Sequence, residues 1–418
     1  MKDPVVIILA AGRGTRMKSE TPKVLHKILG KPIIDYVLDA VKSAGASEII
    51  LVAGYGNSLL RRTVRGAKIV AQKDLLGSGH AVMAAKEKLK NYSGDVLVVC
   101  GDTPLIKART VKALVGKHRS SRACATILTA KLSDPTGYGR IIRDDAGRVT
   151  GIVEQEKASL YEEVITEINA GAYCFNSGDL FAALEAVRPD NRKKEIFLTD
   201  TIGILKNNGK SIETYMTEDP GEAIGVNTRK DMASSAAIIK TRVAEELMLG
   251  GVTIQDPLST VIYPGVNIGK DTIIYSNTVI ESDVEIGKNC LIGPFARIRP
   301  HVRIGDNVEI GNFVELNRTK IGSDTTIKHH TYLGDTIVGK KVNIGAGVIT
   351  ANYDGVSKSG TIIEDGAFIG VGAILIAPVR IGRSAVVGAG SVVPKNHDIP
   401  KGATVIGVPA RIYRKNKK

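Results

Sequence analysis

The chain has 418 residues, a formal charge of +14, four cysteines and no tryptophan, too long for one ordinary domain and apolar enough for real cores. The cysteines, Cys100, Cys124, Cys174 and Cys290, are too scattered for a C-x-x-C pair or a metal site and point to buried thiols in a reduced, cytoplasmic protein. No apolar run reaches membrane-spanning length, and no basic run is interleaved with aromatics, so small phosphorylated substrates are expected rather than a membrane or nucleic acid.

The opening MKDPVVIILAAG has a short apolar run preceded by Asp3 and Pro4 and followed by a Gly/Arg loop, which reads as a buried first strand rather than a signal peptide. Val5–Ala10, Glu48–Gly54, Lys68–Gln72 and Asp95–Asp102 read as buried strands, and Ile33–Ala44 and Gly79–Lys90 as helices between them. That alternation predicts a mostly parallel sheet with helices on both faces over residues 1–228. Residues 229–250 read as one linker helix, stopped by Gly250-Gly251.

From 251 to 408 the rhythm becomes hexameric. Ile262, Ile268, Ile274, Ile280, Ile286, Ile292, Ile298, Ile304, Ile310 and Leu316 fall in steps of six. After two five-residue slips the ladder runs through Ile321, Ile327, Leu333, Val338 and Ile344, and resumes at Ile363, Ile369, Leu375, Ile381, Val387 and Val393. The fourth residue after a rung is small, as at Thr272, Thr278, Cys290 and Ala296. Such hexads predict a parallel β-helix of triangular section, three hexads to a coil. Between Ile344 and Ile363 the phase is lost through Asn352-Tyr-Asp-Gly-Val-Ser-Lys358, which predicts an extruded polar loop. Residues 409–418 read as a solvated basic tail.

Two places carry chemistry. In the first half, Leu9-Ala-Ala-Gly-Arg-Gly-Thr-Arg-Met17 lacks the G-K-[ST] ending of a Walker A loop and the third glycine of a dinucleotide fingerprint. It still offers a Gly-rich turn whose N–H groups can face phosphates, with Arg16 and Lys23 to neutralise them. Val98-Val-Cys-Gly-Asp-Thr103 puts the Asp102 carboxylate at the carboxyl edge of the sheet, where it can hold a hard cation. A phosphate-binding turn beside a metal carboxylate suggests phosphoryl or nucleotidyl transfer. In the second half, hexad phase stacks Arg299 on Asn317, Glu315 on Tyr332, and Asn312, His329 and Ala346 in one column. Ile327 and Thr331 take the inward positions, so His329 and His330 both avoid the core and can reach a groove.

L-A-A-G-x-G-T-R-M…P-K resembles the signature of sugar-1-phosphate nucleotidylyltransferases. Nearly the whole chain, domain order included, is similar to the bifunctional N-acetylglucosamine-1-phosphate uridylyltransferase/glucosamine-1-phosphate N-acetyltransferases of bacterial cell-wall precursor synthesis. The resemblance implies a Rossmann-like α/β nucleotidyltransferase followed by a left-handed β-helix that trimerises, with the acetyl-CoA site between subunits. It implies that Leu9, Ala11, Gly12, Gly14, Arg16 and Lys23 handle UTP, that Gln72, Gly77 and Ser78 recognise uracil, and that Asp102 and Asn227 hold Mg2+. Gly139, Glu154, Asn169 and Asn227 would bind the N-acetylsugar. In the β-helix His329 would be the general base for amine attack on the acetyl-CoA thioester, a role that suits an imidazole near neutral pH. Arg299, Asn317, Tyr332, Asn343 and Lys358 would hold the sugar phosphate, and Ala346, Asn352, Tyr353 and Ala389 coenzyme A; His330 is given no role.

The chain departs from the family pattern at several points. Cys100 replaces an aromatic, Asn317 a phosphate-binding Lys (with Arg318 adjacent), Val371 a Ser and Gly407 an Arg, and the β-helix is about two coils short at its N-terminal side. These departures keep a second reading open: a uridylyltransferase whose β-helix is only a trimerisation scaffold. A third keeps the fold but changes the sugar or the nucleotide.

Overall fold

The computed structural model describes residues 3–188 and 195–413. Among these the chain divides into two compact units, Met1–Ala236 and Ala237–Lys418, with the division inside a helix that spans Arg229–Leu249.

The first unit is built on one twisted sheet. Its main path runs Ile212–Met216, Ala125–Lys131, Glu167–Asn176, Asp95–Cys100, Val5–Ala10, Glu48–Ala53, Lys68–Ala71. Val5–Ala10 lies parallel to Asp95–Cys100 and to Glu48–Ala53, which is in turn parallel to Lys68–Ala71. Glu167–Asn176 enters the middle of the sheet antiparallel to both neighbours. In Val5–Ala10 successive side chains face opposite sides, as a strand requires. Val6 and Ile8 join one buried cluster with Ile34, Val37 and Leu114, while Val5 and Ile7 join the other with Val82, Leu180 and Ile202. Helices therefore cover both faces, as the βα alternation predicts. The helix expected over Gly79–Lys90 is shorter: an α-helix spans Ser78–Ala84 and a 3-10 turn follows at Lys86–Leu89.

The second unit is a left-handed parallel β-helix whose three faces are sheets of ten, eight and seven short strands. Rungs stack in register, as Ile262 on Ile280, Ile298 on Leu316, and Ile310 on Ile327. The slots read as small, Thr272, Thr278, Cys290 and Ala296, are buried between them. Several buried threonines satisfy their hydroxyls on the backbone of neighbouring coils, as Thr325 does by donating to the Gly339 carbonyl, whereas the buried hydroxyls of Thr278 and Thr361 have no hydrogen-bond partner among the described residues. Ile310 is wholly buried in this stack, so Ile310→Ala should lose about 2–5 kcal/mol in denaturant unfolding. Val356→Ala, at a side chain 93% exposed, should lose almost nothing.

Two expectations need correction. The hexad phase survives past Ile344: Val348 and Thr350 are both fully buried, and Thr350 pairs with Leu375 on the next coil. Thr350 was unreadable as a rung because it is polar, but its hydroxyl accepts from the Gly334 N–H, 2.9 Å away. The excursion begins only at Asn352. Nor is the whole C-terminal segment a solvated tail. Ala410 is buried, and Arg411–Ile412 pairs antiparallel with Thr404–Ile406, occupying a strand edge that would otherwise be bare. The remaining residues, 414–418, lie outside the described part.

Candidate active sites

The first site forms where the sheet presents its carboxyl edge. Val5–Ala10 runs into the Gly-rich turn, and Gly14 there has φ +64°, with its α-carbon so close to Lys23 that an added Cβ would lie 2.8 Å from the lysine Cβ. The turn thus fixes where Lys23 stands. Lys23 Nζ forms an ion pair with Asp102 and donates to Asn227 Oδ1 at 3.0 Å, and Arg16 Nη2 donates to the same oxygen at 2.9 Å. The Val226 N–H donates to the Asp102 carbonyl at 2.8 Å, which ties the segment carrying Asn227 to this strand end. Leu9, Gly12, Lys23, Cys100 and Asp102 line a cavity of about 120 Å3.

Two hard oxygens, Asp102 Oδ2 and Asn227 Oδ1, therefore already converge on one cationic nitrogen. That donor set fits a hard divalent cation completing its shell with water and phosphate oxygens. Asn227 is itself anchored. Asp231 accepts from the N–H groups of Asn227 and Thr228 at 2.9 and 2.8 Å. Burial works against ionising Asp231, but these N–H donors outweigh it and hold its carboxyl below the usual range. The Cys100 thiol is pushed up to about 12 by burial, with the Asp102 carboxylate adding to it, so it stays protonated and inert beside the site.

Gly139, Glu154 and Asn169 also come together. The Asn169 N–H donates to the Gly139 carbonyl at 2.9 Å, and a Cβ on Gly139 would lie 3.4 Å from Glu154 Oε2. Glu154 Oε1 accepts from Thr199 Oγ1 at 2.7 Å, and Asn169 Nδ2 donates to the Tyr173 hydroxyl at 2.6 Å. Gln72, Gly77 and Ser78 form a third group just beyond the end of the edge strand Lys68–Ala71. The Gln72 N–H donates to the Ala53 carbonyl at 2.8 Å, and Ser78 Oγ accepts from the Leu198 N–H at 2.9 Å.

In the β-helix, register places Asn312 directly beside His329. His329 Nδ1 lies 2.6 Å from Asn312 Oδ1. With Asn312 Oδ1 as the acceptor, Nδ1 carries the proton and the Nε2 lone pair is left to accept one. The same register, Ile327 on Ile344, Ile344 on Ile369, Ile369 on Val387 and Val387 on Val405, continues the column through Ala346, Val371, Ala389 and Gly407. Two of the departures, Val371 and Gly407, thus stand in the column that descends from the candidate base.

Glu315 and Tyr332 pair on adjacent coils, and Arg299 Nη1 donates to Glu315 Oε1 at 2.9 Å. Asn317 is buried and its Oδ1 accepts from Arg318 Nη1 at 3.1 Å. Arg318 is itself held by Asp335 through two parallel hydrogen bonds, one of 2.8 Å, so its guanidinium is engaged rather than free to replace the missing lysine. Asp335 also accepts from Asn352 at the mouth of the loop. The Arg318 guanidinium holds the Asp335 carboxyl below its usual range. A lowered native pKa means that this stabilisation is complete above the ordinary carboxyl range and is lost as pH falls through the depressed value. Asn343 Oδ1 accepts from Thr326 Oγ1 at 3.1 Å, and Lys358 closes the loop by pairing with Tyr353. His330, given no role from sequence, stacks on Phe313, which stacks on Phe295.

Comparison with known proteins agrees with both halves. Residues 6–200 match the MobA-like NTP transferase domain, and residues 283–318 and 360–395 match the bacterial transferase hexapeptide (six repeats). A protein of Shouchella clausii named Bifunctional protein GlmU is 42% identical over 450 residues, spanning 100% of this chain and 99% of its own length. The chain belongs to the bifunctional GlmU family. Members from Heliobacterium modesticaldum and Pelotomaculum thermopropionicum are 41% and 44% identical, over 97% and 90% of this chain and 96% and 90% of their own. The alignment to the Shouchella member is longer than the 418-residue chain itself, so that relative carries residues this chain lacks.

Sequence reading missed several supporting residues. Asp231 was within reach, since Thr228-x-x-Asp231 ahead of a helical run is a capping signature. Thr199, Tyr173 and Asp335 carry no local signal; folding alone brings them to Glu154, Asn169 and Arg318.

Proposed function

We infer that the protein makes UDP-N-acetylglucosamine from glucosamine-1-phosphate in two steps, as an N-acetyltransferase and then a uridylyltransferase. The observation that carries the first-unit assignment is the convergence of Lys23, Arg16, Asp102 and Asn227 at the carboxyl edge of the sheet, in a chain that aligns with bifunctional relatives from end to end.

In uridylyl transfer a phosphate oxygen of N-acetylglucosamine-1-phosphate attacks the α-phosphorus of UTP. A new P–O bond forms and the α–β bridge breaks, releasing pyrophosphate. The Gly-rich turn, with Leu9, Ala11, Gly12 and Gly14, cradles the triphosphate, and Arg16 and Lys23 balance its charge. Asp102 and Asn227 would hold Mg2+, which would supply neutralisation of phosphate charge when bound. Gly139, Glu154 and Asn169 position the N-acetylsugar, and Gln72, Gly77 and Ser78 the base.

In acetyl transfer the His329 Nε2 takes a proton from the glucosamine amine as its nitrogen attacks the thioester carbonyl. The C–S bond breaks, and the coenzyme A thiolate takes up the proton that His329 received and leaves as the thiol. Asn312 holds the imidazole ring in the productive tautomer, Arg299, Tyr332, Asn343 and Lys358 engage the sugar phosphate, and Ala346, Asn352, Tyr353 and Ala389 engage coenzyme A. Asn317 contributes at most a neutral contact there. The β-helices associate as a homotrimer, a reading supported by the exposed Phe295–Phe313 stack on the solenoid. A cytoplasmic location is supported by four free cysteines.

The intact protein, given acetyl-CoA and glucosamine-1-phosphate, should release free thiol. Given UTP, N-acetylglucosamine-1-phosphate and Mg2+, it should release pyrophosphate, and GTP or dTTP should serve poorly. Pyrophosphate without thiol would leave the β-helix as a scaffold only.

A further inference from the structure

We propose that His80 is a positioning residue that makes Gln72 a one-way hydrogen-bond acceptor toward the nucleotide base, and so sets uracil against cytosine. This rests on the reading that Gln72 faces the base.

The orientation of the Gln72 amide follows from its neighbours. One end of the amide lies 3.1 Å from the Gly77 carbonyl oxygen, which can only accept, so that end must be the NH2 group. The same nitrogen, Nε2, lies 3.0 Å from His80 Nδ1. Nε2 brings two hydrogens, and these two contacts use both of them when Nδ1 is the unprotonated ring nitrogen. Among the described residues Oε1 accepts no hydrogen bond. Gln72 is 5% exposed, so its amide has little water to reorient in.

The backbone reinforces the arrangement. Gly77 has φ +95°, and a Cβ there would lie 2.5 Å from the Ile196 carbonyl oxygen. Its own carbonyl is therefore held in a place that only glycine permits. Ser78 opens the helix that carries His80 half-buried one turn from the amide. Gln72 follows the strand Lys68–Ala71, two strands out from the Gly-rich turn, at the same carboxyl edge.

A fixed acceptor discriminates by chemistry. Uracil presents N3–H and donates to Oε1. Cytosine presents a bare N3 lone pair and meets it oxygen to nitrogen, with no proton between them. Accepting cytosine requires the amide to flip, which breaks both Nε2 contacts and sets Oε1 against the Gly77 carbonyl.

The test measures kcat/KM for UTP and for CTP by pyrophosphate release with N-acetylglucosamine-1-phosphate. The UTP/CTP ratio within each variant cancels any loss of folded enzyme. In His80→Leu the ratio should fall by up to about tenfold, the worth of one hydrogen bond, mainly through KM. In His80→Asn, whose Oδ1 can stand near the former Nδ1 and accept, the ratio should stay within about threefold of the parent. An unchanged ratio in His80→Leu, or equal loss in both variants, overturns the proposal. Gln72→Ala separates the underlying reading: if it leaves the ratio intact, Gln72 does not face the base. If it collapses the ratio while His80→Leu does not, the base site stands and the role of His80 falls.

Discussion

Asp102→Ala is expected to slow uridylyl transfer by about a thousandfold or more, while thiol release by the other unit stays within about twofold. The carboxylate has two tasks at one point in space. It supplies the only charged oxygen of the convergent pair, and it is the ion-pair partner of Lys23. Without it a hard cation would be left with the neutral Asn227 oxygen, too weak a donor to compete with water. Asp102→Asn keeps the shape and removes only the charge, so it should fail almost as badly, and raising Mg2+ should recover part of the rate. Pyrophosphate release near the parent rate in either variant would remove Asp102 from the metal and phosphate machinery.

The reciprocal experiment is His329→Ala. Thiol release should drop by about 10²–10⁴-fold, the range for loss of a positioned general base, with uridylyl transfer unaffected. Asn312→Leu should give a smaller loss, about tenfold, because the ring is still present but its Nδ1–H has lost its acceptor at 2.6 Å. Thermal unfolding of both variants should match the parent, since His329 is exposed and Asn312 only partly buried. Full thiol release from His329→Ala would return the β-helix to the scaffold reading.

Much of this was legible beforehand because both units repeat simple rules. An aliphatic residue every six positions has one geometric meaning, and from it the neighbours of His329 and Tyr332 could be named before any coordinates. The rule failed at Thr350, where a hydroxyl that finds backbone partners does an aliphatic residue's job. In the first unit the motif residues were readable, but their support was not. Thr199 reaches Glu154 across 45 positions of sequence, and Lys23 reaches Asn227 across 204. No spacing rule covers such separations. The direction in which Gln72 points was hidden for another reason: it depends on a carbonyl held by an unusual glycine rather than on residue type.

The vertical register of the β-helix bears on how such a chain can change length. Each coil contacts chiefly the one above and the one below, so stability accumulates storey by storey. Losing a whole storey near one end lowers the tower but leaves the order of columns above it intact, because every later residue moves together. The column from Asn312 through His329, Ala346, Val371 and Ala389 to Gly407 would survive such a loss unaltered. A chain with fewer residues than its relative can therefore be a shortened building with its working floor complete, and its vulnerable positions are the individual side chains on that floor rather than the number of floors beneath it.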